Sequence, residues 1–187
     1  MNLPHTTHPL ATLTAAEPDE ATWDAFAAGH PHGHLLQSSA WGRLKRTVGW
    51  QARRLAVAEG GAILAGAQVL IKRRLGLAVL YVPRGPLLAG DRTADALLLR
   101  ALDRLAFRAR AVFLRLEPNL LEADPAASPL WGWLLGRGFV AAEPIQPRST
   151  VHLDLIPPPE RLLAAMSKGH RADIRRSARE GVAVRAG

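Results

Sequence analysis

Apolar positions recur along the chain at two spacings, and the switches between them mark out strands and helices. Leu10 to Leu13 reads as a short first strand. Pro18-Asp19-Glu20 opens a helix whose apolar face is Trp23, Phe26 and Ala27 and which Gly29 ends. Ser38-Ser39 caps a second helix through Ala40–Thr47. Ala52–Glu59 then alternates, with Leu55 and Val57 on one side and Arg54 and Ala56 on the other. Gly60-Gly61 is a two-residue hairpin signal, and Ile63–Ile71 returns as the next strand. Lys72-Arg73-Arg74-Leu75-Gly76 is expected to turn, and Leu77–Val82 is a strand stopped by Pro83-Arg84-Gly85-Pro86. Asp91–Arg110 is the longest helix, with Leu97, Leu98, Ala101, Leu102, Leu105 and Ala109 on one face. Ala111–Leu116 is an apolar strand ending in Glu117-Pro118. A short helix over Pro129–Leu135 precedes two further expected strands, Phe139–Ile145 and Ser149–Leu155. Pro157-Pro158-Pro159 marks a boundary before a basic helix over about Glu160–Glu180, and Val182-Ala183-Val184 reads as the start of another strand.

The order makes an α/β (α+β) domain: a mixed sheet of about seven strands flanked by helices, followed by a basic C-terminal helix. It resembles the acetyltransferase (GNAT) topology, in which the fourth and fifth strands splay and the site opens between their ends. Leu77–Val82 and Ala111–Leu116 take those places, which puts Arg84 and Glu117 just past the two strand ends. The expected organisation is a loose start over 1–9, an acetyltransferase-like domain over 10–156, and a linker with the basic helix over 157–187.

Composition narrows the class. The chain has 187 residues, 48% hydrophobic and 21% charged, as in a folded globular protein. Cysteine is absent, which removes disulfides, thiolate metal sites and a cysteine nucleophile and fits a cytoplasmic location. No apolar run is long enough to span a bilayer, and MNLPHTTHPL lacks the form of a secretory signal. The net charge is +8, and only Lys45, Lys72 and Lys168 among the 24 basic residues are lysine. The sign points to RNA, a nucleotide or an anionic membrane surface.

Four sets of residues could carry chemistry. An acyl-CoA site needs an R/Q-x-x-G-x-G/A loop after the fourth strand to present backbone N–H groups to pyrophosphate. Pro83–Gly90 does not fit that pattern; Arg73-Arg74-Leu75-Gly76-Leu77-Ala78 fits it one strand too early. His30, His32 and His34 alternate as metal ligands can, but in a loop broken by Pro31 and Gly33 with no carboxylate nearby in sequence, so no metal is expected. Glu117 is a catalytic candidate, since a strand-end carboxylate can orient an attacking amine or take its proton; equally, it can pair with Arg115. Lys168, Arg171, Arg175 and Arg179 form one helical stripe suited to RNA or another anion, beside a second stripe of Leu162, Met166, His170 and Ile174.

Several runs resemble the FemABX peptidoglycan aminoacyltransferases in order and spacing: Leu35–Lys45 with Val48-Gly49-Trp50, Tyr81–Pro86, Leu114–Pro118, Ile145–Leu155, and Met166–Arg176 ending at Gly181-Val182. The resemblance implies two acetyltransferase-like domains that do not use acyl-CoA, and hence no cofactor beyond aminoacyl-tRNA as co-substrate. It implies transfer of an amino acid to the stem-peptide amine of a UDP-linked or lipid-linked muropeptide, with possible peripheral contact at the inner membrane face. It makes Lys45 a contact to the precursor phosphates, places Arg84 in the same groove, and makes Glu117 a candidate base. It also implies that residues to 187 are the N-terminal half of the family's pattern and that this chain alone does not turn over. The rivals are an acyl-CoA-dependent N-acyltransferase, which would bind CoA, and a non-catalytic RNA- or membrane-binding module, which would bind in a salt-sensitive way without precursor affinity.

Overall fold

The computed structural model describes residues 13–121, 123–147, 149–151 and 153–185. It divides the chain into two compact units, Met1–Gln146 and Pro147–Gly187.

The first unit is built on one sheet in the order β1 (Thr14–Ala16), β2 (Gln51–Glu59), β3 (Ala62–Arg74), β4 (Leu77–Val82) and β5 (Ala111–Leu116). The first four strands are antiparallel neighbours, and β5 joins β4 in parallel. Helix α1 (Glu20–Gly29) starts on Asp19, whose carboxylate accepts from the Thr22 amide. A single 3-10 turn, Leu35–Gln37, leads into α2 (Ser39–Thr47), which Ser38 caps. Between β4 and β5 runs α3 (Arg92–Ala109), capped by Asp91, and α4 (Ala127–Leu135) follows β5.

Alternation in the strands sorts the layers. Val57, Ala65, Ala67, Val69, Ile71, Leu80 and Val82 point to α3, where Ala94, Leu98 and Leu102 complete the main core. Gly66 and Gln68 of β3 face α1 and α2: Gly66 lies under the Trp23 ring and Gln68 under Gly42. Asp95, almost fully buried in the first turn of α3, accepts from the Ala89 amide, and burial raises its carboxyl above the usual range.

The described residues hold five strands, not about seven. The first lies at Thr14–Ala16; residues 10–12 of the expected Leu10–Leu13 strand are outside the described residues. Phe139–Ile145 forms no strand. Pro144 has no N–H to give to a ladder, and the segment is tied by side chains instead. The described part of Ser149–Leu155 is also irregular, because its alternating Val151, Leu153 and Leu155 have no strand to pair with in a unit of two helices and coil. Lys72–Arg74, expected to turn, continues β3 as its charged end.

The strands also separate in a different place from the one expected. Pairing of β4 with β5 persists to Val82↔Leu116, and the Glu117 amide then donates to the Val82 and Gly85 carbonyls at 3.1 Å. The opening lies between β3 and β4. Beyond Leu70↔Tyr81 the register would set Gln68 opposite Pro83, which has no N–H to donate. The side chain of Gln37 fills that rung. It accepts from the Gln68 amide at 2.7 Å and donates to the carbonyls of Pro83 at 2.7 Å and Gln68 at 3.3 Å. The chain bulges around this amide and returns to β3 at Leu87, which exchanges two 2.8 Å bonds with Gly66.

In the second unit the expected continuous basic helix is two helices, α5 (Pro159–Ala165) and α6 (Lys168–Arg179). Ser167 adopts extended backbone and its hydroxyl accepts from the His170 amide, so it is the N-cap of α6. The break divides the stripe of Leu162, Met166, His170 and Ile174. Val182-Ala183-Val184 is irregular. Among the described residues no helix is long and apolar enough to cross a membrane.

Candidate functional site

On the sheet face away from α3, the turn after α2 builds one side of a cavity of about 210 Å³. Gly49, at φ 82°, ends α2, and Trp50 folds back to donate its amide to the Lys45 carbonyl at 3.1 Å. Trp41 and Trp50 therefore both line the cavity with Lys45. The Lys45 ammonium lies 4.9 Å from the Trp41 ring centre, and the Lys72 ammonium lies 5.5 Å from that of Trp50. The Trp41 indole N–H is buried and makes no hydrogen bond among the described residues. Val79, Tyr81, Phe113 and Arg115 form the floor from β4 and β5, and Ile145 and Gln146 close the far side. The cavity thus has an aromatic and aliphatic lining with Lys45 and Arg115 as its cations.

Glu117 stands at the end of this floor, but its partner is not Arg115. Its Oε2 accepts a hydrogen bond from the Tyr81 hydroxyl. Its Oε1 accepts from the Ile145 amide and, at 3.4 Å, from the Gln146 amide. The Gln146 side chain donates to the Tyr81 oxygen at 3.0 Å. Burial, together with the neighbouring Glu117 carboxylate, holds the Tyr81 phenol well above its ordinary pKa, so it stays a hydrogen-bond donor. Arg115 donates instead to the Glu143 carbonyl.

Arg84 lies on the β4 exit turn with φ 51°, a left-handed conformation rare for arginine. It does not line the cavity, although the next residue, Gly85, bridges to Glu117. Gly85 is needed there: a Cβ would sit 2.8 Å from Gln37 Nε2. Sequence reasoning missed Gln37, Gln68 and Tyr81. A signal for Gln68 was present, since it is a polar residue inside an apolar run, Ala67-Gln68-Val69; Gln37, between Leu36 and Ser38, carried none.

The other candidates lie elsewhere in the structure. His30 donates through Nε2 to the Leu88 carbonyl at 3.0 Å and accepts from the His32 amide, while His34 accepts from the Leu36 amide. Among the described residues no group of three or more histidines and acids could hold a metal ion. Arg73–Ala78 is the end of the β3–β4 hairpin, with Leu75 and Gly76 at positive φ in its two-residue turn, and it leads into no helix. On α6, Arg171 donates to the carbonyls of Ala164 at 2.8 Å and Met166 at 3.1 Å, which closes the corner with α5. Arg176 pairs with Asp173 and Glu180. A larger groove of about 370 Å³ lies on the α3 side of the sheet, lined by Arg53, Arg73, Arg104 and Arg108; Arg53 is paired there with Glu17.

The FemAB family model matches residues 19–128, the stretch that holds Lys45, Arg84 and Glu117. The chain belongs to the FemAB family. It is 31% identical over 171 residues to lipid II:glycine glycyltransferase of Staphylococcus haemolyticus (strain JCSC1435), covering 86% of this chain and 41% of that protein. Lipid II:glycine glycyltransferase of Staphylococcus aureus is 30% identical over 171 residues, covering 86% and 40%. The crystal structure of FemX matches with a TM-score of 0.61 at 30% identity, over 67% of this chain and 31% of that one. The chain therefore spans about two fifths of the length of the curated relatives it matches. The basic residues of α6 lie beyond the stretch matched by the family model.

Proposed function

We propose that this chain supplies the acceptor-holding part of an aminoacyltransferase of cell-wall assembly. In this reading an amino acid passes from aminoacyl-tRNA to the stem-peptide amine of a muropeptide precursor, with the lipid-linked form favoured by the names of the relatives. The amine nitrogen forms an amide with the aminoacyl carbon, the ester C–O bond breaks, and the tRNA hydroxyl leaves with the proton. An aminoacyl ester is already activated, so holding the amine against it supplies much of the rate gain. The reaction belongs to the cytoplasmic side, where aminoacyl-tRNA is found. By itself the 187-residue chain is proposed to bind acceptor without turnover.

The observation that carries the reading is Lys45, held over Trp41 in the lining of an aromatic cavity within the stretch that matches the family. Its ammonium is proposed to contact the precursor diphosphate, with Arg84 as a second contact from the adjoining turn. A charge-assisted bond of this kind contributes about 1.5–3 kcal/mol. Lys45→Ala is therefore expected to weaken binding of a soluble diphosphate-linked muropeptide by roughly ten- to a hundredfold in calorimetry. Equal affinities would end the claim.

Lys168, Arg171, Arg175 and Arg179 are proposed as tRNA phosphate contacts. Each phosphate contact adds roughly 0.7–0.9 to the slope of log affinity against log salt. Replacing Lys168, Arg175 and Arg179 together by alanine, leaving Arg171 to hold its corner, is expected to flatten that slope by about 2–3. An unchanged slope in a tRNA titration would place the RNA elsewhere, and the groove of Arg104 and Arg108 would be the next surface to test.

A further inference from the structure

We propose that Glu117 is a clasp: its carboxylate holds the Ile145–Gln146 segment onto the sheet, builds the far wall of the Lys45 cavity, and so positions the acceptor without taking its proton. The acceptor part rests on the function proposed above.

The argument begins with the segment. Pro144 and Pro147 have no N–H, so Ile145 and Gln146 offer the only two backbone donors between them. Both go to Glu117 Oε1. Among the described residues this segment makes no strand ladder, and Arg115 also ties it to β5 by donating to the Glu143 carbonyl. Ile145 and Gln146 are also the cavity's far-side lining. Losing their hold on Glu117 removes that wall.

The chemistry of the side chain follows. A carboxylate is acceptor-only, with about two lone-pair directions on each oxygen. Two amide donors use Oε1 and the Tyr81 hydroxyl uses one direction of Oε2. A proton taken by Glu117 would go to the remaining direction of Oε2 and neutralise the carboxylate, weakening the three charge-assisted bonds that make the clasp. Glutamine is a weaker clasp. If its carbonyl faces the two amides, they bond to a neutral oxygen, and its NH2 faces the Tyr81 O–H, which loses its acceptor. If the amide is turned round, NH2 meets N–H. Glu117 is accordingly a positioning residue.

The test is Glu117→Gln in the full chain, read by amide hydrogen exchange and by calorimetry with a soluble diphosphate-linked muropeptide. Exchange at Ile145 and Gln146 is expected to accelerate at least tenfold while amides of β3 and α3 stay protected. The muropeptide Kd is expected to rise about tenfold. A base would leave both readouts at wild-type values, and that result overturns the proposal. Faster exchange with unchanged affinity overturns the positioning role. Should wild type bind no muropeptide, the proposed function fails and takes the acceptor-holding role with it, while exchange at the two amides still decides the clasp. Should Glu117→Gln lose core protection as well, Tyr81→Phe carries the test. It removes one donor to Glu117 and the anchor of the Gln146 side chain, so a smaller rise in exchange and Kd is expected; no rise in either overturns the proposal.

Discussion

Gln37→Leu is expected to lower the unfolding free energy by about 2–6 kcal/mol, the cost of leaving two buried backbone groups unpaired. Those groups are the Gln68 amide and the Pro83 carbonyl, both bound to Gln37 at 2.7 Å. Leucine has no polar atom to offer, so both groups lose their partner. Single domains are typically stable by about 5–15 kcal/mol, which makes the effect a large fraction of the total. The loss falls on the turn that carries Arg84, because Gln37 joins the start of that turn to β3, while Leu87 and Gly66 join its end. Urea unfolding followed by circular dichroism measures it; a loss below about 0.5 kcal/mol would mean that water replaces Gln37 and that the turn is held by other contacts. Gly85→Ala probes the same seat from the other side by pushing a methyl against Gln37 Nε2.

How far the sequence revealed this depends on whether the cause is local. Strands β4 and β5 were read with their observed ends because each is an apolar run closed by turn chemistry, Pro83 in one case and Glu117-Pro118 in the other. The Ser38 cap was equally local. Strands expected over 139–155 failed because alternation says that one face is apolar and nothing about whether a neighbour's N–H groups are available. The break at Ser167 was missed because serine is tolerated within helices and only its backbone conformation makes it a cap. Glu117 was picked out by position, yet its expected partner was the nearest cation in sequence. Its actual partners, Tyr81, Ile145 and Gln146, lie far away along the chain, and no spacing rule joins them. The rung made by Gln37 follows from Pro83, a residue that was read only as a strand stop.

Trp23→Ala is expected to cost about 3–5 kcal/mol, the usual range for emptying a buried aromatic site. Trp23 is fully buried, with Ala27, Leu87 and Phe26 packed around it. Its ring lies so close to β3 that a Cβ at Gly66 would come within 2.5 Å of Cζ3. Its indole N–H donates at 2.6 Å to the backbone carbonyl of Gln37, the residue whose side chain makes the missing rung. Alanine therefore opens a cavity and unpairs a buried carbonyl together. Trp23→Phe separates the two terms. It keeps most of the ring and loses the N–H, so a loss of about 1–3 kcal/mol is expected from the unpaired carbonyl. Trp131→Ala serves as the contrast: that ring is 52% exposed, and substitutions at such sites usually stay within about 0.5 kcal/mol. Unfolding curves for the three variants give the order directly. If Trp23→Ala falls no further than Trp131→Ala, then α1 is not the support on which Gln37 and the Arg84 turn are placed.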